Sequence, residues 1–302
     1  MTLFVPLLLL ACDAAPRPTD TPVQDDSGRD SSGVTEDTGD PVPVDVVQVA
    51  TGGLAACALD VDGAAHCWGR DVSGEATPPA GVFSQISGGG QYFCGLELDG
   101  ALRCWGDTDS MYGRPDTPLV SFDAGNTHAC GIDHAGEVEC WGYDDHGETL
   151  PPTGRYSVVS AGAIMSCALD EAGLATCWGS DSHDLLLVPT GSLSMISAGD
   201  FHVCGVHAED EDAVCWGQNW LSEATPSGGP FKKVVAGYDT SCGLRPSGEI
   251  DCWGWEYGQP AGVGYVDLAH GFDFGCAVTT ERKVECWGNN EYGQAEPPAH
   301  LR

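Results

Sequence analysis

From about residue 44 onward, apolar positions come in short alternating runs, and no stretch carries the 3.6-residue period of an amphipathic helix. Cys57 and Leu59 alternate with small or polar neighbours, as on a half-buried strand. Val61-Asp62-Gly63 reads as a three-residue turn, with glycine where a left-handed backbone is needed, and Ala64 to Trp68 reads as the return strand. A further strand signal precedes such hairpins, as in Val82-Phe83-Ser84-Gln85-Ile86 and Phe231-Lys232-Lys233-Val234-Val235. Polar stretches rich in glycine and proline, such as Gly74-Glu75-Ala76-Thr77-Pro78-Pro79, close the units. The pattern predicts an all-β fold of small sheets, each with three strands and a short fourth.

The hairpin recurs seven times with the same punctuation. Fourteen of the fifteen cysteines form pairs ten residues apart, eleven in the fifth unit. The pairs are Cys57 with Cys67, Cys94 with Cys104, Cys130 with Cys140, Cys167 with Cys177, Cys204 with Cys215, Cys242 with Cys252 and Cys276 with Cys286. Trp-Gly follows each second cysteine, at Trp68, Trp105, Trp141, Trp178, Trp216, Trp253 and Trp287. A glycine stands five residues before each first cysteine, from Gly52 to Gly271. Another stands six residues after it at Gly63, Gly100, Gly136, Gly173 and Gly248, replaced by Asp210 and Arg282 in units five and seven. Counting outward from the turn, the two cysteines of a unit fall opposite each other, close enough for a disulfide. Unit-to-unit spacings of 34 to 38 residues mark a repeat protein. The reading is a seven-bladed β-propeller over residues 44–302 with one intrablade disulfide per repeat, the repeats lying near 44–80, 81–117, 118–153, 154–190, 191–228, 229–262 and 263–302. The framework tryptophans are assigned to blade packing.

The last unit carries Trp287-Gly288-Asn289-Asn290-Glu291-Tyr292-Gly293-Gln294, and Gly-x-x-His stands at Gly125 to His128 and Gly199 to His202. These motifs resemble the repeat of the regulator of chromosome condensation family, over about residues 44 to 302. The resemblance implies a seven-bladed propeller. The short units are similar to a compact variant, a secreted β-lactamase inhibitor protein of bacteria, which grips another protein with one propeller face. The chain departs from the family pattern in three ways. The trailing Gly-Gln survives only at Gly258-Gln259 and Gly293-Gln294, repeat four loses it between Ser180 and Thr190, and the paired cysteines are an addition.

The first residues change the picture of the compartment. Leu3 to Ala11 is apolar but too short to span a bilayer, and Leu9-Leu10-Ala11-Cys12 looks like a bacterial lipobox. The resemblance to lipoprotein signals implies a signal peptide at residues 1–11 and lipid on Cys12, although no Lys or Arg precedes the apolar run. Residues 12–43 are polar and acidic, with no aromatic residue, and are read as a disordered tether of roughly 30 Å reach. Asp37-Thr38-Gly39 matches an aspartic-protease motif in letters only. Paired cysteines in an exported chain read as disulfides, and no Cys-x-x-Cys or Cys/His cluster suggests a metal. The expected location is the bacterial cell envelope, lipid-anchored and extracytoplasmic.

Charge narrows the partners. With 12 Lys and Arg against 45 Asp and Glu, a net charge of -33 argues against nucleic acid and against docking on anionic lipid other than through Cys12. A protein with basic patches is favoured. No catalytic motif, cofactor site or metal site is expected, and a monomer is. Asp60-Val61-Asp62-Gly63 and Glu97-Leu98-Asp99-Gly100 evoke Ca²⁺ loops, but tight-turn chemistry accounts for them. Asp144-Asp145-His146 is read as an exposed polar loop, and His128 and His202 as residues that hydrogen-bond loops to backbone. Two sets of loops vary against the fixed framework, one after the repeated glycine and one after Trp-Gly. Both interleave aromatic residues with Asp and Asn, which suits a protein-binding face. The candidate residues are Tyr92, Phe201, His202, Tyr238, Asp239, Phe272, Asp273, Trp220, Trp255 and Tyr257. The expectation is a non-enzymatic propeller that binds a protein or peptide. A carbohydrate or cell-wall module and an envelope hydrolase are the alternatives.

Overall fold

Seven antiparallel three-stranded sheets contain every strand of the described residues, 43–302, in a computed structural model. Those residues lie in the compact unit Pro41–Arg302. The apolar leader, Cys12, the tether up to residue 42 and Asp37-Thr38-Gly39 fall outside the described residues. Each sheet is one blade, as in Val46–Thr51, Ala55–Asp60 and Ala65–Gly69 of blade 1. The first strand of each blade, the inner strand, faces the central channel, the second is the middle strand, and the third, the outer strand, lies at the periphery. No fourth strand forms among the described residues, which corrects the expectation of one. The segment in its place follows the outer strand as a tail and packs beside the next blade.

The hairpin register is the one expected from the turn, and it sets the seven disulfides. Cys57 stands opposite Cys67 and is bonded to it. The same holds for Cys94 and Cys104 in blade 2, Cys130 and Cys140 in blade 3, and Cys167 and Cys177 in blade 4. It holds again for Cys204 and Cys215 in blade 5, Cys242 and Cys252 in blade 6, and Cys276 and Cys286 in blade 7. The paired Cα atoms are 4.0–4.1 Å apart, the close spacing of a non-hydrogen-bonded pair.

The two cysteines of a pair differ in their surroundings, which the spacing alone does not indicate. Each first cysteine lies on a middle strand and is fully buried. The second cysteines, Cys67, Cys104, Cys140, Cys177, Cys215, Cys252 and Cys286, lie on the outer strands and are only half-buried. Each bond therefore ties an outer strand to the enclosed middle strand beside it. Each also closes a short loop, so its chain-entropy gain is at most about 3 kcal/mol. The turn glycines take φ near +80°, and Arg282 holds φ 61° in blade 7. In blade 5 the extra residue is absorbed within the turn, and Glu211, not Asp210, takes the left-handed position.

The core is divided among seven seams between neighbouring blades. Blades 1 and 2, for example, bury Leu59 with Phe83, Ile86, Phe93 and Trp105. All seven framework tryptophans are buried. Five of them donate their indole N–H to a carbonyl of the preceding blade's tail: Trp105 to Glu75 (3.1 Å), Trp178 to Glu148 (2.8 Å), Trp216 to Leu185 (2.9 Å), Trp253 to Glu223 (2.9 Å) and Trp68 to Gln294 (2.8 Å). The last of these closes the ring, since Gln294 belongs to blade 7 and Trp68 to blade 1. Val44 N–H donating to His300 O and buried Leu301 complete that seam.

The tails reveal a motif that is partly hidden in the sequence. Buried Glu75, Glu148, Glu223 and Gln294 each accept from a backbone N–H two residues earlier, at 2.7–2.8 Å. The side chain thereby folds the tail into a loop that offers its own carbonyl to the next tryptophan. Glu therefore stands in for Gln in three blades. Gln259, despite its matching letters, turns away and caps Cys252 N–H of its own blade at 2.9 Å. The indole N–H of Trp287, in the following blade, has no partner among the described residues.

Candidate protein-binding face

The strands of a blade alternate in direction. Inner-to-middle loops and post-Trp-Gly tails therefore emerge on one face of the ring, and hairpin turns emerge on the other. The turn face is regular. Asp60, Asp133 and Asp170 each accept two N–H groups of their own turn at 2.8–2.9 Å, which is the tight-turn chemistry expected there. The loop face carries the variation.

At the centre of the loop face, the residue after each repeated glycine forms a rim: Gly53, Gly90, Asn126, Ala163, Asp200, Tyr238 and Phe272. From Gly53 to Asp200 each rim N–H donates to a glycine or rim carbonyl of the next blade at 3.0–3.2 Å. Tyr238 and Phe272 make no such bond among the described residues. Their rings, with Phe201, form a continuous edge-to-face series. Trp220 meets His183 (centroids 5.3 Å), His183 meets Phe201 (6.1 Å), Phe201 meets Tyr238 (5.8 Å), and Tyr238 meets Phe272 (5.8 Å). Perpendicular rings of this kind attract through their quadrupoles and hold one another in place. Trp255 and Tyr257 form a tilted pair at 6.5 Å on the neighbouring tail. Trp220 is 76% exposed and Trp255 52%.

Two candidates do not belong to this face. Tyr92 is fully buried, and its hydroxyl donates toward Gly125 O and His128 O at 2.9 and 2.8 Å. The reason is register. Tyr92 stands two residues before its cysteine, where Met165, Phe274 and the two histidines also point into the seam, whereas Tyr238 and Phe272 stand four before and Phe201 three before. His202 is likewise fully buried. Its Nε2 lies 2.7 Å from Ser241 Oγ of the next blade, and that hydroxyl donates to Glu223 O. His128 repeats the arrangement with Ser166 and Glu148 O. Because each serine donates its proton to a carbonyl, each histidine donates from Nε2. Burial drives both histidines down to about 4, so both are neutral spacers. Their side-chain partner is a serine of the neighbouring blade, not the backbone that the sequence suggests.

The disulfide cysteines stand apart from this face as well. Cys104, Cys140, Cys177 and Cys215 are placed on the outer strands with their sulfurs bonded inward to the middle strands. They offer no free thiol, and they brace the loops without lining the mouth.

Carboxylates sit among the exposed rings. Burial, then the neighbouring Asp239, pushes Asp200 up to about 7. Burial, then Glu223, also raises Asp239, whose Oδ1 accepts from Gln218 at 3.4 Å. Asp273 accepts from Asn289 at 2.5 Å through Oδ2, while its enclosed Oδ1 has no partner among the described residues. Glu223 is held low by N–H donors that outweigh its burial. His183, whose backbone is left-handed at φ 60°, is not a candidate from the sequence. The one trace of its role there is the missing Gly-Gln of repeat four. Also unforeseen is a polar girdle on the inner strands. Asp123 accepts from Ser87 (2.8 Å) and Ser160 (2.9 Å), and Lys233 pairs with Asp267 at 2.7 Å while Asp267 also accepts Val49 N–H. These bonds join blades and are structural. Among the described residues no cluster of His, Cys, Asp or Glu is arranged to hold a metal ion.

The chain is a disulfide-laced seven-bladed propeller. Three segments, residues 46–75, 231–259 and 265–294, match the model of the Regulator of chromosome condensation (RCC1) repeat. No curated protein sequence matches the chain. Among solved structures, it is similar to the CRINKLY WD40 ectodomain of the Arabidopsis thaliana receptor kinase ACR4 (26% identity, TM-score 0.73, 85% of this chain and 99% of that one). It is also similar to the entire ectodomain of the Physcomitrella patens receptor kinase CR4 (27%, TM-score 0.72, 82% and 74%). Prp20p of Saccharomyces cerevisiae, whose structure was described with its binding properties to Gsp1p and histones, shares the fold at 14% identity (TM-score 0.65, 83% and 84%).

Proposed function

We propose that this protein is a non-enzymatic, extracytoplasmic propeller, held to the bacterial envelope by lipid on Cys12, that binds a protein or peptide through its loop face. The observation that carries the reading is the edge-to-face aromatic series from Trp220 to Phe272, displayed on a ring braced by seven disulfides. Such a face loses little entropy on binding and offers large rings for desolvation. Seven disulfides suit an oxidising compartment. The likeness to two receptor-kinase ectodomains favours an outward-facing role. The compact secreted inhibitor that the repeats resemble also grips a protein with one face. Exposed Trp220 and Trp255 favour a second reading, a carbohydrate-binding module, because flat exposed indoles suit sugar stacking.

Capture from native envelopes separates the two readings. Wild-type propeller should retain a protein that a Phe201→Ala, Tyr238→Ala, Phe272→Ala variant loses, with a blank glycan array. A glycan signal abolished by Trp220→Ala would instead favour the sugar module. Mass spectrometry of the mature N-terminus tests the anchor. Diacylglycerol on Cys12 is expected, and an unlipidated chain starting elsewhere would refute it.

A further inference from the structure

The aromatic half of the rim borders a small central cavity whose chemistry selects one kind of guest. The cavity holds about 90 Å³ and is lined by the rim glycine backbones, Asn126, Asp200 and Phe272. That is well below the few hundred Å³ typical of a small-molecule site, and it suits the tip of a side chain. No Lys or Arg lines it. The one basic residue there, His270, is buried and driven down to about 4, so it stays neutral. The Asp200 carboxyl group is therefore left without an internal counter-ion. Among the described residues no hydrogen bond reaches the Asp200 carboxylate, which lines the cavity with only burial and the like-charged Asp239 acting on it. The Phe272 ring lines the cavity, and the Tyr238 ring meets it edge to face at 5.8 Å.

Resting on the protein-binding reading above, we infer that the mouth between Asp200, Tyr238 and Phe272 receives an arginine side chain of the partner polypeptide. A guanidinium is planar, weakly hydrated and permanently charged, so it can stack on an aromatic ring while donating to a carboxylate. An ammonium satisfies only the second requirement equally well. Asp200 raised to about 7 is consistent with a carboxylate that lacks its cation in the free protein. The guest replaces the missing counter-ion, with no covalent step.

The test uses the full chain and three blocked tripeptide amides, Ala-Arg-Ala, Ala-Lys-Ala and the neutral citrulline isostere of the first. The readout is the aromatic ring resonances of Phe201, Tyr238 and Phe272 at physiological salt, where diffuse attraction to the acidic surface is screened. The arginine peptide should give saturable shifts confined to these rings, with at least tenfold weaker binding for citrulline and intermediate binding for lysine. Asp200→Asn, nearly isosteric, should weaken the arginine peptide at least fivefold and leave citrulline unchanged. Phe272→Leu should erase the preference for arginine over lysine. Equal binding of citrulline, shifts spread over the whole surface, or indifference to Asp200→Asn would overturn the inference. If envelope capture depends on the rim while arginine shows no preference, this inference fails and the binding face stands. If capture ignores the rim, the face itself is wrong, whatever the peptides do.

Discussion

One loop position, repeated seven times, builds the rim of the propeller mouth, and its two halves use that position differently. In blades 1 to 4 it is held by Gly53, Gly90, Asn126 and Ala163, whose backbones interlock from blade to blade at 3.0–3.2 Å. In blades 5 to 7 it is held by Asp200, Tyr238 and Phe272, and the interlocking stops after Asp200. Small residues let neighbouring backbones approach until they hydrogen-bond. Tyr238 and Phe272 lack that bond, and their rings, with Phe201, brace one another at about 5.8 Å and remain open to a partner. The first half contributes stability, and the second gives up some of it for a surface.

Substitutions that swap the character of the two halves should show this. The largest effect is expected on the closed half. A Cβ at Gly53 would lie 2.3 Å from Gly90 O and 2.9 Å from the Phe272 ring, with no room for backbone to yield cheaply. Gly53→Ala should therefore cost about 2–4 kcal/mol in chemical denaturation. Next comes Asp200→Asn, with the opposite sign. Because its folded pKa is raised from 3.8 to about 7, the folded state holds an extra proton between those values, so stability falls as pH rises through that window. The full shift is discounted by about half for the solvent contact Asp200 retains. The amide should then stabilise the propeller by roughly 2 kcal/mol at pH 8 and change nothing at pH 3. A smaller contrast lies in the tails. Glu223→Ala removes two N–H acceptors and disturbs the loop that serves Trp253, and should cost about 1–2 kcal/mol. Gln259→Ala, in a tail that serves no tryptophan, should cost about 0.5 kcal/mol or less. Equal losses would mean that the two tails brace the ring alike.

The fold was largely legible because it rests on local rules. Turn glycines, opposed cysteines and a buried Trp-Gly repeat in every unit, so each blade corroborates the next. The spacing paired Cys94 with Cys104 and Cys204 with Cys215 correctly, but it could not say that the second member of each pair is the less buried one. Ring closure was not legible, since Trp68 meets Gln294 across 226 residues and nothing near either one announces the contact. The site was legible only in part. Phe201, Tyr238 and Phe272 lie on the face where variable loops suggested, yet Tyr92 and His202 sit in the core. One or two residues of register separate those outcomes, and composition cannot distinguish them. Counted back from the first cysteine of its unit, Tyr92 shares the position of His128 and Phe274. Glu75, Glu148 and Glu223 were missed because a glutamate can fold a tail as glutamine does, through one accepting oxygen, while the letters no longer match. His183 reaches the aromatic series through an irregular left-handed backbone that no periodic pattern encodes.

The most direct test of the account is the affinity of an envelope-captured partner for three proteins: wild type, the Phe201→Ala, Tyr238→Ala, Phe272→Ala variant of the open rim, and a Leu98→Ala, Leu174→Ala variant of exposed residues on the turn side. The open-rim variant should lose about 2 kcal/mol or more of binding, with about 1–3 kcal/mol falling on the one or two true anchors, while its melting curve stays close to wild type. The turn-side variant should bind as wild type does. Undiminished binding by the open-rim variant, or a loss confined to the turn-side variant, would contradict the assignment of function to the aromatic half of the mouth.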